Sequence, residues 1–585
     1  MRPVCLLLLI ALVLPAQQSV VANRSLDGSI PSQNPQLAAQ ETKPEDLCSI
    51  QGQVLNLVTG EYLRKATLLM NRVDVAQNTT VPPPSYTSVT DADGKFAMKD
   101  IEPGRYRMRV SRSGFVATEY GARAPGRPGT TVTLDRGKNL KEITFRLTPH
   151  GVITGHILDE DGDPVSGVQV QVARSGYSQG RKQLMFSGGA STNDLGEYRI
   201  FGIAPGKYFL SATYRNMMAM SNAVDHSTTA SPDEEYVPTY YPGTIDPTGA
   251  AQVEVAPGAT LSGINLKLSK ARTVRVRGHV IQSQATGRPM ISVTLLPRNT
   301  DQISMMMSMS RNRIVDAKGN FEITGVQPGS YYLRAMMNTS GKSFSGSTAV
   351  VVGSSNLENV NVTIGSGLTI TGRLRVDGPS NESLSNLQLR LMPREPGTMM
   401  FSNNQAKLNE DGSFRIEDVG SDVYNLNVFG LPDGFYVKSA RMGESEILTS
   451  GLDATAGQLA PLEVVLSPNA GQLSGAVTNP TTSQPAPGAT VVLIPQEKDR
   501  REVFSFYKTV TTDQSGNFSF KNLTPGDYKV YAWEDIEPGA YSDPDFVKPV
   551  ESKGESVNIK EGSKPAVQLT LIPAEGPPQT NQAPR

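Results

Sequence analysis

Chemistry in this chain would have to come from few groups. It holds four histidines, His150, His156, His226 and His279, and two cysteines, Cys5 and Cys48. A zinc centre needs three or four converging ligands. His156 and His279 each follow the glycine of a similar short apolar segment by one residue. They read as equivalent side chains on two separate strands, too far apart to share an ion. Asp159-Glu160-Asp161-Gly162-Asp163 resembles a calcium loop in composition, but it lacks the twelve-residue spacing and closing glutamate of the helix-loop-helix kind. A hydrated hairpin turn is the reading adopted for it. Nucleophilic catalysis requires a serine or cysteine beside an oriented base, and no Gly-x-Ser-x-Gly elbow stands between a strand and a helix. The chain is read as non-enzymatic, with no cofactor and no metal.

Binding through flat rings is the stronger chemistry. Tyr236, Tyr240 and Tyr241 lie in the run Tyr236-Val237-Pro238-Thr239-Tyr240-Tyr241-Pro242-Gly243, outside the clean strand pattern around it. Rings on a loop suit the apolar faces of sugars. Tyr531 and Trp533 are two residues apart and share one strand face, with Tyr541 following. Outward, that face is a ring platform; inward, it is core. The candidate ligand-binding residues are therefore Tyr236, Tyr240, Tyr241, Trp533 and Tyr541. Methionines at Met217-Met218, Met220, Met305, Met307, Met309 and Met399-Met400 fall between expected strands. They are assigned to loops that cap sandwich ends or touch partners.

The elements that must position these groups repeat. A short apolar segment carries one glycine at Gly52, Gly155, Gly278, Gly372 and Gly475. A turn follows whose glycine lies 40 to 42 residues further on: Asp93-Gly94-Lys95-Phe96, Leu195-Gly196-Glu197-Tyr198, Lys318-Gly319-Asn320-Phe321, Asp411-Gly412-Ser413-Phe414 and Ser515-Gly516-Asn517-Phe518. Ten residues after the turn glycine, four copies read Pro-Gly-x-Tyr, ending at Tyr106, Tyr208, Tyr331 and Tyr528. The fourth in chain order reads Ser421-Asp422-Val423-Tyr424 instead. Constant spacing of this kind marks a repeated fold. The turn glycine takes backbone angles that other residues resist. The tyrosine is expected to bury its ring and bond its hydroxyl to a loop carbonyl.

Period-two alternation bounded by Gly, Pro and Asp clusters predicts half-buried antiparallel strands. Val168, Val170 and Val172 share one face, as do Ile143, Phe145 and Leu147. The predicted fold is all-β, a tandem array of five β-sandwiches over 46–148, 149–270, 271–366, 367–468 and 469–574. A disordered lead segment spans 23–45 and a disordered tail 575–585. Links as short as Thr148-Pro149-His150 predict a semi-rigid rod. Helices find no obvious place.

Arg2 followed by the apolar run Cys5 to Leu14 and Pro15-Ala16 reads as an export signal over 1–22, cut after Ala16 or Ala22. An uncleaved anchor is the alternative. Beyond it no stretch is apolar enough for a membrane helix, so the mature chain is expected to be soluble, secreted or in the cell envelope. Cys48 is then alone and forms no intrachain disulfide. It reads as a buried, inert thiol. The charges, 55 basic against 56 acidic, nearly cancel. A nucleic-acid partner is excluded on that ground.

The paired signature, clearest in Thr512-Asp513-Gln514-Ser515-Gly516-Asn517-Phe518 and Thr90-Asp91-Ala92-Asp93-Gly94-Lys95-Phe96, resembles the carboxypeptidase regulatory-like domain. That family implies a small transthyretin-like, immunoglobulin-resembling sandwich, also grouped with starch-binding-like folds. The array resembles exported multi-copy proteins of the acidobacterial type. The resemblance implies envelope or extracellular residence and a carbohydrate-binding or adhesive role, with a polysaccharide or an envelope protein as partner. A structural or protein-docking scaffold with no sugar ligand is the alternative. The family's domain carries no catalytic residues to transfer.

Overall fold

The computed structural model describes residues 43–74, 84–178, 180–214, 234–282, 290–298, 313–339, 342–365, 367–379, 384, 386–394, 404–455 and 459–574. The leader, most of the lead segment, the tail, His226 and the methionine clusters lie outside them. Among the described residues no helix is long and apolar enough to cross a membrane.

The chain is almost all β, and each of the five repeated stretches, called units one to five, closes its own apolar core. The same wiring recurs in each. In unit one the opening strand Cys48–Asn56 lies between the signature strand Lys95–Ile101, antiparallel, and the closing strand Asn139–Leu147, parallel. Gly471–Thr478 lies likewise between Asn517–Leu523 and Ala566–Thr570 in unit five. The strand that follows the second reversal pairs antiparallel with the second strand of its unit, as Gly104–Ser111 does with Thr67–Arg72. Alternation along these strands sends one face inward. Ile143, Phe145 and Leu147 are buried, as are Val168, Val170 and Val172. Burying each such side chain contributes roughly 1.5–3 kcal/mol.

The opening glycine faces the signature aromatic in every unit: Gly52 opposite Phe96, Gly155 opposite Tyr198, Gly278 opposite Phe321, Gly372 opposite Phe414 and Gly475 opposite Phe518. A Cβ at any of them would collide with a backbone carbonyl that follows on the neighbouring closing segment, such as Ile143 at Gly52 and Val567 at Gly475. These glycines are required by close approach, while the turn glycines are required by conformation, with φ of 68° at Gly94 and 77° at Gly516.

In the turns, the Asp or Asn three residues before the glycine organises the backbone. The Asp513 carboxylate accepts from the N–H groups of Ser515 and Asn517, both at 2.9 Å. Asp91, Asn193 and Asp316 do the same in units one to three. The signature tyrosines behave uniformly as well. Each hydroxyl donates to the carbonyl four residues earlier, from Tyr106 to Glu102 at 2.7 Å and from Tyr528 to Thr524 at 2.8 Å. Tyr424 keeps this bond in the divergent fourth copy, to Gly420 at 2.9 Å.

A threonine before the turn adds a buried cross-link in three units. Thr512 Oγ1 donates to the Ala486 carbonyl at 2.7 Å and accepts from the Ala489 N–H at 2.9 Å. Thr90 and Thr192 make the equivalent pairs, whereas units three and four carry Val315 and Leu408 there. Stranding a buried donor and acceptor costs about 1–3 kcal/mol. Thr512→Val is therefore expected to lower the stability of unit five by about 2 kcal/mol, read by denaturant titration. An unchanged midpoint would show that the hydroxyl contributes nothing.

Two features depart from the sequence expectation. Short helical turns do occur in unit five, at Lys498–Arg501, Phe504–Phe506, Ala540–Ser542, Pro544–Val547 and Lys548–Lys553. They cover the outer face of the sheet containing Gly526–Trp533, which carries a second apolar layer. The other departure is that unit five touches units one and two as well as unit four. Arg123 pairs with Glu534 at 2.6 Å and Arg127 with Asp535 at 2.8 Å. Tyr177, on the long strand Val168–Ser178 of unit two, donates to Asp543 at 3.3 Å. Short linkers fix neighbours closely, but long hairpins and inserts remote from the linkers bring distant units together, so a rod with end units apart does not describe these contacts.

The divergent copy lies at the junction between units three and four. Arg334 of unit three is half-buried there, and desolvation pulls its guanidinium below the usual value, opposed by nearby Tyr424 and Asp422. The Ser421-Asp422 sequence places a carboxylate in the neighbourhood of that half-buried cation, where the other units have proline and glycine.

Candidate functional site

The five candidate rings do not form one surface. Trp533 is 3% exposed and Tyr541 8%. Trp533 stacks on Tyr531 with centroids 5.1 Å apart, and Tyr541 stacks on Phe504 at 6.1 Å. Both belong to the second apolar layer of unit five, with Val492, Ile494, Tyr507 and Ile536. The outward-or-inward choice left open by the strand alternation resolves in neither direction alone. The face points away from the main core, and the helical insert then covers it. Tyr240 is also buried, because Thr239–Tyr240 is a strand paired with Gly206–Tyr214 instead of a loop outside the sheet.

Tyr236 and Tyr241 remain partly exposed while packing on the core of unit two. Tyr236 sits in the ribbon formed by Glu234–Val237 and Ser269–Arg272. Its hydroxyl donates to Glu160 Oε2 at 2.7 Å, and Lys270 Nζ pairs with the same carboxylate. Lys270 Nζ also lies 5.0 Å from the centroid of the Tyr236 ring, in cation–π range. Tyr214 meets the ring edge-on at 5.6 Å. An open groove beside them is lined by Glu160, Glu234, Gly243, Lys267 and Lys270.

The electrostatics of this cluster are internally balanced. Hydrogen bonds from Lys270 first, then Tyr236, hold the Glu160 carboxyl down at about 2. Burial, followed by the bond to Glu160, pushes the Tyr236 phenol up. The Glu160 value lies below the ordinary 4.5. Its stabilising effect is thus fully present above about pH 4.5 and is lost as pH falls through about 2. Replacing Lys270 with methionine is expected to move the Glu160 midpoint upward from about 2, as followed by NMR of the carboxyl carbon. No upward movement would mean that Lys270 is not the dominant partner.

The remaining chemistry-bearing groups stay apart. Asp159 accepts from the N–H groups of Asp161 and Asp163, at 2.9 and 2.8 Å, so the acidic stretch is a turn that uses its first carboxylate internally. Among the described residues no group of three or more His, Cys, Asp or Glu side chains is placed to hold a metal ion. His156 faces Glu197 at 3.6 Å and His279 faces Asn320 at 3.2 Å, at corresponding registers of separate sheets. Cys48 is buried, its sulfur 3.1 Å from the Asp135 carbonyl.

One recurrent feature escaped the sequence reading. Six residues after each turn glycine, at Asp100, Gly202, Gly325, Asp418 and Asn522, the backbone takes positive φ, between 54° and 73°. Only Gly, Asp and Asn occupy the position, the types that tolerate this region, so composition at a fixed offset was the signal. At Asn522 the side chain also joins two units, accepting from Gly434 N–H at 2.7 Å and donating to the Pro432 carbonyl at 3.0 Å.

Residues 49–148, 152–234 and 472–570 match the carboxypeptidase regulatory-like domain, which therefore occurs three times in the chain. The three matched units are those that carry the buried threonine cross-link. Over 166 residues the chain is 30% identical to BOS complex subunit NOMO1 of Mus musculus, and equally so to BOS complex subunit NOMO3 of Homo sapiens. Each match covers 28% of this chain, which spans only about a tenth (11%) of the length of either relative. Solved structures that align with the chain include GBS52, the minor pilin of Streptococcus agalactiae, at 11% identity and a TM-score of 0.22, covering 38% of this chain and 96% of that one. Another is BcpA, the major pilin subunit of Bacillus cereus, at 9% identity and a TM-score of 0.13, covering 72% and 99%. Likenesses this distant do not bear on function.

Proposed function

We propose that this protein is an exported, non-catalytic scaffold of the cell envelope, built from five tandem transthyretin-like sandwiches that act by docking to other proteins. The observation that carries this reading is the fate of the rings. Trp533 and Tyr541 lie in the second apolar layer of unit five and Tyr240 is buried in a paired strand, so these three rings stabilise the fold and offer no face to a ligand. Three carboxypeptidase regulatory-like domains support the tandem-sandwich part of the reading, and their family carries no catalytic machinery of its own. The apolar leader sequence supports location in the periplasm, at the surface or in the medium. Affinity capture from the envelope fraction of the source cells, with quantitative cross-linking, is the test. A specific protein partner with no glycan response supports the scaffold; retention on a glycan array with no protein partner overturns it.

Tyr236 and Tyr241 favour a second reading, glycan contact. Both are partly exposed, and Tyr236 contacts Glu160 and Lys270, which line the neighbouring groove. On that reading Tyr236→Ala with Tyr241→Ala abolishes retention on a polysaccharide column while the other four units keep their thermal transitions.

A further inference from the structure

The contact between unit five and unit one is a built interface of opposite charges. Arg123 and Arg127 belong to the segment following the strand Thr118–Glu119 of unit one, and Glu534 and Asp535 follow the strand Gly526–Trp533 of unit five. The Arg123 guanidinium bonds Glu534 at 2.6 Å and donates its second nitrogen to the Pro487 carbonyl at 3.2 Å. The other oxygen of Glu534 accepts from the Ala574 N–H at 3.2 Å, which orients the carboxylate. All four charged side chains are between 26% and 34% exposed, so water and salt reach them. Beside them Tyr177 of unit two packs against the second apolar layer of unit five.

Such half-exposed pairs are individually weak. They hold here because both surfaces lie on one chain, and tethering gives them an effective concentration far above that of free protein. The two surfaces differ and are mutually complementary, which is the arrangement that joins copies head to tail. We propose that the Arg123/Arg127 strip of unit one is a docking surface for the Glu534–Asp535 strip of a fifth unit, filled in the single chain by its own fifth unit and, once that lets go, by the fifth unit of a second copy. The proposal deepens the scaffold reading by naming a partner. It can fail while that reading stands, since its test involves no envelope protein.

Two charge reversals in the full chain test it, Arg123→Glu with Arg127→Glu and Glu534→Arg with Asp535→Arg. Each alone is expected to stay monomeric with an increased radius of gyration in small-angle scattering. All four changes in one chain restore the original radius. In concentrated solution an equimolar mixture of the two double variants is expected to double the mass seen by light scattering, because each supplies the complement of the other and a pair of copies closes two such contacts, the second of them tethered by the first. Unmutated protein taken to about 1 M salt, where charges are screened beyond roughly 3 Å, provides an arm free of folding artefacts and is expected to expand. An unchanged radius in both double variants and in salt overturns the closure. A mixture that stays monomeric overturns the pairing of copies.

Discussion

Replacing Trp533 with alanine is expected to destabilise unit five by about 4 kcal/mol, within the range for deleting a large buried aromatic. The ring is 3% exposed and stacked on Tyr531, with Phe546 at 6.3 Å on another side. Its removal leaves a void between the sheet and the helical insert that the rigid sheet cannot fill. It is the only tryptophan of the chain, so Trp533→Ala has to be followed by circular dichroism or calorimetry, while the unmutated protein reports unit-five unfolding by its own fluorescence. The buried indole is expected to emit in the blue when folded and to shift red at the transition. A Trp533→Ala protein with unaltered stability would place the ring outside the core and return it to the list of ligand contacts.

The second large effect is expected at the opening glycines. Gly475→Ala would set a methyl group against the Val567 carbonyl and the Phe518 ring at once. The ring can move, but the carbonyl belongs to a segment paired with the opening strand itself. Overpacking against fixed backbone costs about 3 kcal/mol, or roughly 12–24 °C in the melting temperature of a unit near 100 residues. Gly353→Ala is the matching control, since nothing lies within 4 Å of a Cβ there and no left-handed φ is required. Calorimetry of the two variants separates the cases. Equal and small shifts would remove close approach as the reason for the repeated glycine.

These outcomes also bear on how the molecule is organised. The opening glycine, the signature aromatic and the closing segment meet at one point in each unit. That point joins the first and last strands, which are far apart in sequence and parallel in space. The threonine cross-link and the tyrosine hydroxyl bond then tie the two reversals to neighbouring loops. The constant spacing along the chain is thus the trace of one constraint that is local, the tyrosine bond, and of one that joins the two ends of a unit, the glycine contact.

Legibility in the sequence followed the range of the interaction. Strand alternation, the asparagine or aspartate turns, positive φ at the turn glycines and a loop-carbonyl partner for each signature tyrosine depend on residues within a few positions of one another. All of them could be read from residue type and offset. The positive-φ position six residues after each turn glycine is equally local, but Asp, Gly and Asn share a tolerance for left-handed backbone and no common hydropathy, so no periodic pattern marks it.

What tertiary structure alone decided was where two-sided features ended up. Tyr531 and Trp533 share a strand face whatever the fold, but only the helical turns within 498–506 and 540–553 determined that this face is covered. Tyr240 became a strand residue because Gly206–Tyr214 was free to pair with it. The contact of unit five with units one and two joins Arg123 to Glu534 across 411 positions, a separation at which no periodicity carries information. Local sequence determines which way a side chain leaves its strand; what waits on that side is set by the packing of elements that the chain brings from elsewhere.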